Sequence, residues 1–365
     1  MPQVVVLIVL CIGVVGLSLV VMYFFGLVRR KKHEKPFTLE RYHKNPVMSP
    51  QQHNEWETCG VFNPAAYKDD EDVVHLLYRA IGNDGVSRFG YSKSSDGVTF
   101  LPEDRISHPV YFIESPRNMG ATLKRYDPMM FPSGGSWGGA EDPRLVRIED
   151  TLYLTFNAFD GWDFIRIAVT SIAEKDFVAG KWNWKKPMLI SPFGEIHKNW
   201  VIFPEKINGK FAILHSISPH LQIDYVDRLE DLAQGKVKIK SVFKRHDQET
   251  WDTWLRGAGC PPIKTEKGWL VLYHAIEKHD TNRYKIGVML LDFNDPTKVI
   301  SRSPGPLLTP ECWYENDGKP GVVYVCGAVV REGALIVYYG GGDMHTCVAQ
   351  APLDDVLKWL VSTEK

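Results

Sequence analysis

The chain has 365 residues, 44% of them hydrophobic and 24% charged, with 43 basic residues against 44 acidic. That apolar content supports a sizeable core and excludes wholesale disorder. The balanced charge gives a polyanionic partner no footing, so nucleic-acid binding is excluded on composition.

The first element is Val4–Val28, a run of 25 residues without a charge, long enough to cross a hydrocarbon core of ~30 Å as a helix. Arg29–Lys35 follows with five basic residues, and no Lys or Arg precedes the run. The positive-inside rule then places the rest of the chain in the cytoplasm, with the lipid bilayer as a partner of residues 4–28. A cleaved signal peptide would need a basic leader and a shorter apolar run. The expected organisation is a transmembrane anchor over 1–30, a basic polar tether over 31–52, a catalytic domain over 53–352 and a C-terminal helix and tail over 353–365.

Within the long middle region one pattern recurs five times: an apolar β-type run ending in one residue at a fixed place, a short turn, and a returning run. The copies are His75–Arg79, Leu152–Asn157, Phe211–His215, Trp269–His274 and Leu335–Gly340, with returns at Arg88–Tyr91, Ile165–Val169, Leu221–Tyr225, Tyr284–Val288 and Thr346–Ala349. Aligned on Arg79, Asn157, His215, His274 and Gly340, the steps are 78, 58, 59 and 66 residues. Strand-only repeats with inserted loops predict an all-β fold, a five-bladed β-propeller behind a single N-terminal transmembrane helix. Such a ring brings polar side chains from each copy towards one axis, where they make a ligand site.

The stretch Ser107–Gly139, rich in Gly, Pro, Ser, Met and aromatics, delays the second copy and is expected to be a rim over the site. Leu353–Leu360 has helical spacing with Asp354 and Asp355 in its first turn. The five cysteines beyond the apolar run, Cys59, Cys260, Cys312, Cys326 and Cys347, lack metal-site spacing and are expected as free thiols. No metal or organic cofactor is implied.

Chemistry concentrates at the openings of the copies. Glu141-Asp-Pro-Arg144 presents two consecutive carboxylates beside an arginine, and Pro143 is expected to hold Asp142 extended. Burial in an aromatic cleft would raise Asp142 towards a general acid, whereas Arg144 would lower it, as in a structural ion pair; both readings stay open on pattern alone. Glu205-Lys206, Glu249, Asn63 and Asp343 stand at comparable openings or turns. Several carboxylates around one funnel fit glycoside cleavage, with one acid on the leaving oxygen and one base on water.

At these residues the chain resembles glycoside hydrolase family 130, the β-mannoside phosphorylases and β-mannosidases. The likeness runs through Asn45–Pro50, Trp56–Pro64, Leu77–Ala80, Ser87–Tyr91, Glu141–Arg144, Asn199–Lys206, Gly257–Ile263, Gly268–His274 and Tyr338–Asp343. The resemblance implies an inverting enzyme with Asp142 as proton donor and with Asn63, Arg79, Arg88 and Asp343 holding the sugar; Arg144 is grouped with these substrate-binding residues. Phosphorylases of the family hold inorganic phosphate on a basic cluster, which hydrolytic members partly replace with glutamates. Glu205 stands where a phosphate site would favour arginine, so hydrolysis of terminal β-mannosides is the main expectation, with Glu205 and Glu249 activating water. Phosphorolysis to mannose 1-phosphate is the alternative, with Lys206, His215 and His274 as ligands of phosphate, the co-substrate. A tethered, non-catalytic carbohydrate-binding module is a further reading, as is a scaffolding domain. Linkage preference and any homo-oligomer are left open.

Overall fold

In the computed structural model, which describes residues 37–110, 126–130, 133–159, 165–239 and 250–362, each of the five sequence copies is an antiparallel hairpin. The chain divides into two compact units, Met1–Phe37 and Thr38–Lys365. The first, apart from Phe37, lies outside the described residues.

After a short strand β1 (Glu40–Arg41), the first copy supplies β2 (Gly60–Lys68), β3 (Val74–Ile81) and β4 (Val86–Ser94). The second supplies β5 (Gly138–Ile148), β6 (Thr151–Phe159), β7 (Ile165–Ala173) and β8 (Met188–Leu189). The third is brief, with β9 (Val201–Ile202), β10 (Phe211–Ser216) and β11 (Gln222–Val226). The fourth holds β12 (Trp254–Ala258), β13 (Ile263–Thr265), β14 (Gly268–Glu277), β15 (Asp280–Leu291) and β16 (Val299–Arg302), and the fifth β17 (Val323–Arg331), β18 (Ala334–Gly341) and β19 (His345–Pro352). β1 pairs with β19, Glu40 opposite Gln350, and a helix over Leu353–Ser362 follows.

The fold is all-β in its sheets, but the expected five-bladed propeller behind a membrane helix needs correction. Among the described residues the strands form four sheets, of seven, three, five and four strands, and none closes on itself. A short parallel pairing of Val86 with Gly138 and Ser87 with Gly139 joins the first two copies into one seven-stranded sheet, so five copies give four sheets. The membrane part does not stand either. Val4–Val28 lies outside the described residues, and among the described residues no helix is long and apolar enough to cross a membrane. The structure therefore gives no support to a bilayer partner or to a cytoplasmic, membrane-tethered location.

The core lies between neighbouring copies rather than at one centre. β3 shows why its sequence reads as nearly continuous apolar residues: it is buried on both faces. Leu76, Tyr78 and Ala80 pack with Ile336 and Tyr338 of the fifth copy, while Leu77 faces Leu154 and Phe156 of the second. Between the third and fourth copies Phe203 meets Trp269 edge-on at 5.2 Å. Each such fully buried large side chain contributes ~1.5–3 kcal/mol.

Candidate active site

Two strands break in the same way at the site. In β2 the register slips between Phe62 and Ala65, and in β5 between Glu141 and Arg144. Each slip contains an Asx-Pro pair, Asn63-Pro64 and Asp142-Pro143. A proline cannot donate to the ladder, so the strand bulges there. Asn63 and Asp142 are thereby driven to φ of 49° and 50°, a region that Asn and Asp tolerate better than other side chains. The expectation that Pro143 keeps Asp142 extended is thus corrected. Asn199 and Asp343 share the left-handed backbone, at 65° and 52°. Gly340 seats Asn63, because a Cβ there would lie 2.0 Å from Asn63 Oδ1.

The bulges aim both side chains into a cavity of about 380 Å³, which Arg79, Asn199 and Asp343 also line. Asp142 accepts from Asn63 Nδ2 at 2.8 Å, Arg79 Nη1 at 3.2 Å and Asn157 Nδ2 at 3.2 Å. Arg79 also donates to Glu141 Oε1 at 2.9 Å and to Ser87 Oγ at 2.9 Å. Burial pushes the Asp142 carboxyl up, but Arg79, Arg144 and Lys198, with the Asn63 donor, outweigh it and hold it below the ordinary carboxylate range. At Glu141 burial wins over Arg79 and Lys198, and its carboxyl is raised. The carboxamide oxygens of Asn63 and Asn157 are buried and accept no hydrogen bond, so each is an open acceptor beside the acid.

Facing the acid from other segments are Lys198, Arg256 and Lys319, with the rings of Tyr284 and Tyr324. Lys319 Nζ lies 3.6 Å from Asp343 Oδ2, and both Lys319 and Arg256 lie 5.9 Å from the Tyr284 ring centroid. Asn199 is fixed by Arg144 Nη2 at 2.7 Å and the Tyr324 hydroxyl at 2.9 Å, both donating to Oδ1. A carboxyl group among sugar-sized space, with amide acceptors on one side and cations on the other, fits acid-assisted cleavage of a glycoside.

The family model described as beta-1,4-mannooligosaccharide phosphorylase, that of glycoside hydrolase family 130, matches residues 28–362. The chain belongs to glycoside hydrolase family 130. As a family 130 protein it is a carbohydrate-active enzyme, a glycoside hydrolase or a glycoside phosphorylase. It is 35% identical over 328 residues to the 1,2-beta-oligomannan phosphorylase of Thermoanaerobacter sp. (strain X514), covering 87% of this chain and 98% of that protein. It is 34% identical to the beta-1,2-mannobiose phosphorylase of the same organism, over 86% of this chain and 97% of that one. Among solved structures it is similar to a glycosyl hydrolase from Bacteroides ovatus, with a TM-score of 0.69 at 25% identity over 87% of this chain and 94% of the other.

Of the residues singled out from the family 130 motifs, the structure brings Asn63, Arg79, Asp142 and Asp343 to one cavity. Arg144 lies beneath it, wholly buried, donating to the Asp142 and Gly259 carbonyls at 2.7 and 2.8 Å as well as to Asn199. Arg88 turns away to Asp84. Glu205 is half-exposed in an ion pair with Lys264 at 2.7 Å, and Lys206 extends over the Phe211 ring. His215 is buried against Trp200 and Asp224. His274 donates from Nε2 to the Val325 carbonyl at 2.8 Å and stacks on Tyr324 at 3.7 Å, and burial pushes it down to about 3. None of these six lines the cavity, and Glu249 lies outside the described residues. The residues aligned in the repeats, Arg79, Asn157, His215 and His274, lie on β3, β6, β10 and β14, the leading strand of each hairpin, whereas Asn63 and Asp142 come from the preceding strands β2 and β5. Lys198, Arg256 and Lys319 were missed as cavity residues. The one signal near them is that Lys198 and Arg256 directly precede the motifs beginning at Asn199 and Gly257. Among the described residues no group of His, Cys, Asp and Glu is arranged to hold a metal ion.

Proposed function

We propose that the enzyme cleaves terminal β-mannosidic bonds by phosphorolysis, with inversion, releasing α-mannose 1-phosphate. The observation that carries this reading is the composition of the cavity wall facing Asp142: Lys198, Arg256 and Lys319 converge there. A phosphate dianion is held by charge-assisted hydrogen bonds, and lysine and arginine are the side chains suited to it. Glu205, one of the two carboxylates expected to activate water, is instead engaged with Lys264 at the surface. The reading agrees with the names of the two phosphorylases that this chain resembles at 34–35% identity.

Asp142 gives its proton to the glycosidic oxygen as the C1–O bond breaks. Phosphate, already an anion, attacks C1 from the opposite face, so no general base is required. Asn63, Arg79 and Asp343 hold the hydroxyls of the mannosyl group that phosphate attacks, and the sugar beyond the cleaved bond departs. The names of the two Thermoanaerobacter relatives, a 1,2-beta-oligomannan phosphorylase and a beta-1,2-mannobiose phosphorylase, favour β-1,2 linkages. Incubation of the protein with β-1,2- and β-1,4-mannobiose, with and without phosphate, tests the reading. Mannose 1-phosphate is expected only when phosphate is present, and faster from the β-1,2 disaccharide.

A further inference from the structure

Glu141 is fully buried, and it is served by the same cation as its neighbour. Its Oε1 accepts from Arg79 Nη2 at 2.9 Å and its Oε2 from Ser133 Oγ at 2.7 Å, while Arg79 Nη1 donates to Asp142 Oδ1 at 3.2 Å. Two adjacent carboxyls, Glu141 wholly buried and Asp142 only 4% exposed where it lines the cavity, thus divide one guanidinium. Like charges held this close in a dry site do not both ionise freely, and they titrate as a pair. A second cation reaches the pair from the cavity side: Lys198 Nζ lies 3.8 Å from Glu141 Oε2 and 3.3 Å from Ser133 Oγ, and Lys198 lines the cavity.

We propose that Glu141 is a positioning residue that shares one proton with Asp142 across Arg79, and that an anion bound at Lys198 draws a further proton onto the pair. The inference rests on the reading of this wall as a phosphate site. Lys198 helps to keep the pair ionised. An anion beside it cancels that help, so the proton affinity of the pair rises and a proton enters from solvent. The only bond formed is one O–H on the pair, and the proton comes from water or buffer, which keeps the electron pair. Asp142, which its cations hold ionised in the free enzyme, is thereby charged as an acid when the nucleophile is in place.

The other groups that face the pair do not supply this proton. Arg79 and Arg144 stay cationic. Asp343 reaches the pair by acting on Arg79. His274, pushed down to about 3, and Tyr324 and Cys326, both pushed up by burial, are neutral near neutral pH.

The probe is sulfate, which does not titrate between about pH 5.5 and 7.5, whereas phosphate does. Calorimetric titration of the full chain in buffers of different ionisation enthalpy reads the protons taken up per sulfate bound. Wild type is expected to take up a measurable fraction of a proton, approaching one. By linkage the sulfate Kd rises with pH, by up to tenfold per pH unit where uptake is complete. Glu141→Gln is expected to lose at least half of the uptake, and Glu141→Asp to retain it. Asp142→Asn should lose it as well, because the remaining acid then has Arg79 to itself; it also serves if Glu141→Gln fails to fold. Sulfate binding without proton uptake in wild type, or undiminished uptake in both neutral variants, overturns the proposal alone. If sulfate does not bind at all, the phosphate reading falls and the proposal with it.

Discussion

Asn63 and Asp142, 79 residues apart, stand at matching proline bulges and meet at 2.8 Å, amide to carboxylate. Each bulge would weaken an ordinary strand. Together they lift one donor and one acid off their ladders and into the same cavity. Backbone strain of this kind, of order 1–3 kcal/mol per residue, persists where the surrounding structure holds it. Here Arg79, Asn157 and Gly340 do so.

Asp142→Asn is expected to lower kcat/KM on natural β-mannosides by ~10²–10⁴-fold, the range for loss of a general acid. An aryl mannoside whose leaving group needs no proton should lose far less. Steady-state kinetics on both substrates checks this; equal losses on the two would take the acid role from Asp142.

Replacing Lys319 or Arg256 with Met should raise the KM for phosphate by tenfold or more, since each removes a charge-assisted contact of ~1.5–3 kcal/mol. Affinity for mannose in the absence of phosphate should change little. Initial rates over a phosphate series, with mannose binding by calorimetry, separate the two effects.

Glu205→Gln should leave both activity and stability nearly unchanged. The residue is half-exposed and paired with Lys264 at the surface, where an ion pair is worth ~0–1 kcal/mol. Activity within twofold of wild type is expected, and a loss of a hundredfold would restore it as a water-activating base.

Stability should fall as pH drops from about 6.5 towards 4. Burial pushes His215 down to about 4 and His274 to about 3. Below an unfolded value of ~6.5 the unfolded chain binds protons that these folded residues refuse, at a cost of up to ~1.4 kcal/mol per pH unit for each. Above pH 7 neither contributes a slope. Thermal unfolding midpoints at pH 7, 6 and 5 check the direction. A His274→Phe variant should show a shallower decline.

Much of the site was legible in sequence because its chemistry is carried by short contiguous motifs. Glu141-Asp-Pro-Arg144 announced adjacent carboxylates beside an arginine, and Arg79 stood at a fixed place in a repeat. The cations of the opposite wall were not legible. Lys198 lies in an irregular stretch and Lys319 in a turn, where no periodicity says which way a side chain points. His274 misled for a related reason. Its place matches that of Arg79 in the repeat, but β12 and β17 cover it, and its Nε2 is spent on a backbone carbonyl. The five hairpins were readable from their apolar runs. The joining of the first two copies was not, since it depends on two residue pairs at Val86 and Ser87 with no signal in composition.

The most direct measurement is the anomeric product itself. Proton and phosphorus NMR of the enzyme acting on β-1,2-mannobiose in the presence of phosphate should show α-mannose 1-phosphate appearing from the first time point, in step with mannose and with loss of inorganic phosphate. No turnover is expected when phosphate is omitted. Release of two mannoses per disaccharide at the same rate with or without phosphate would contradict the account.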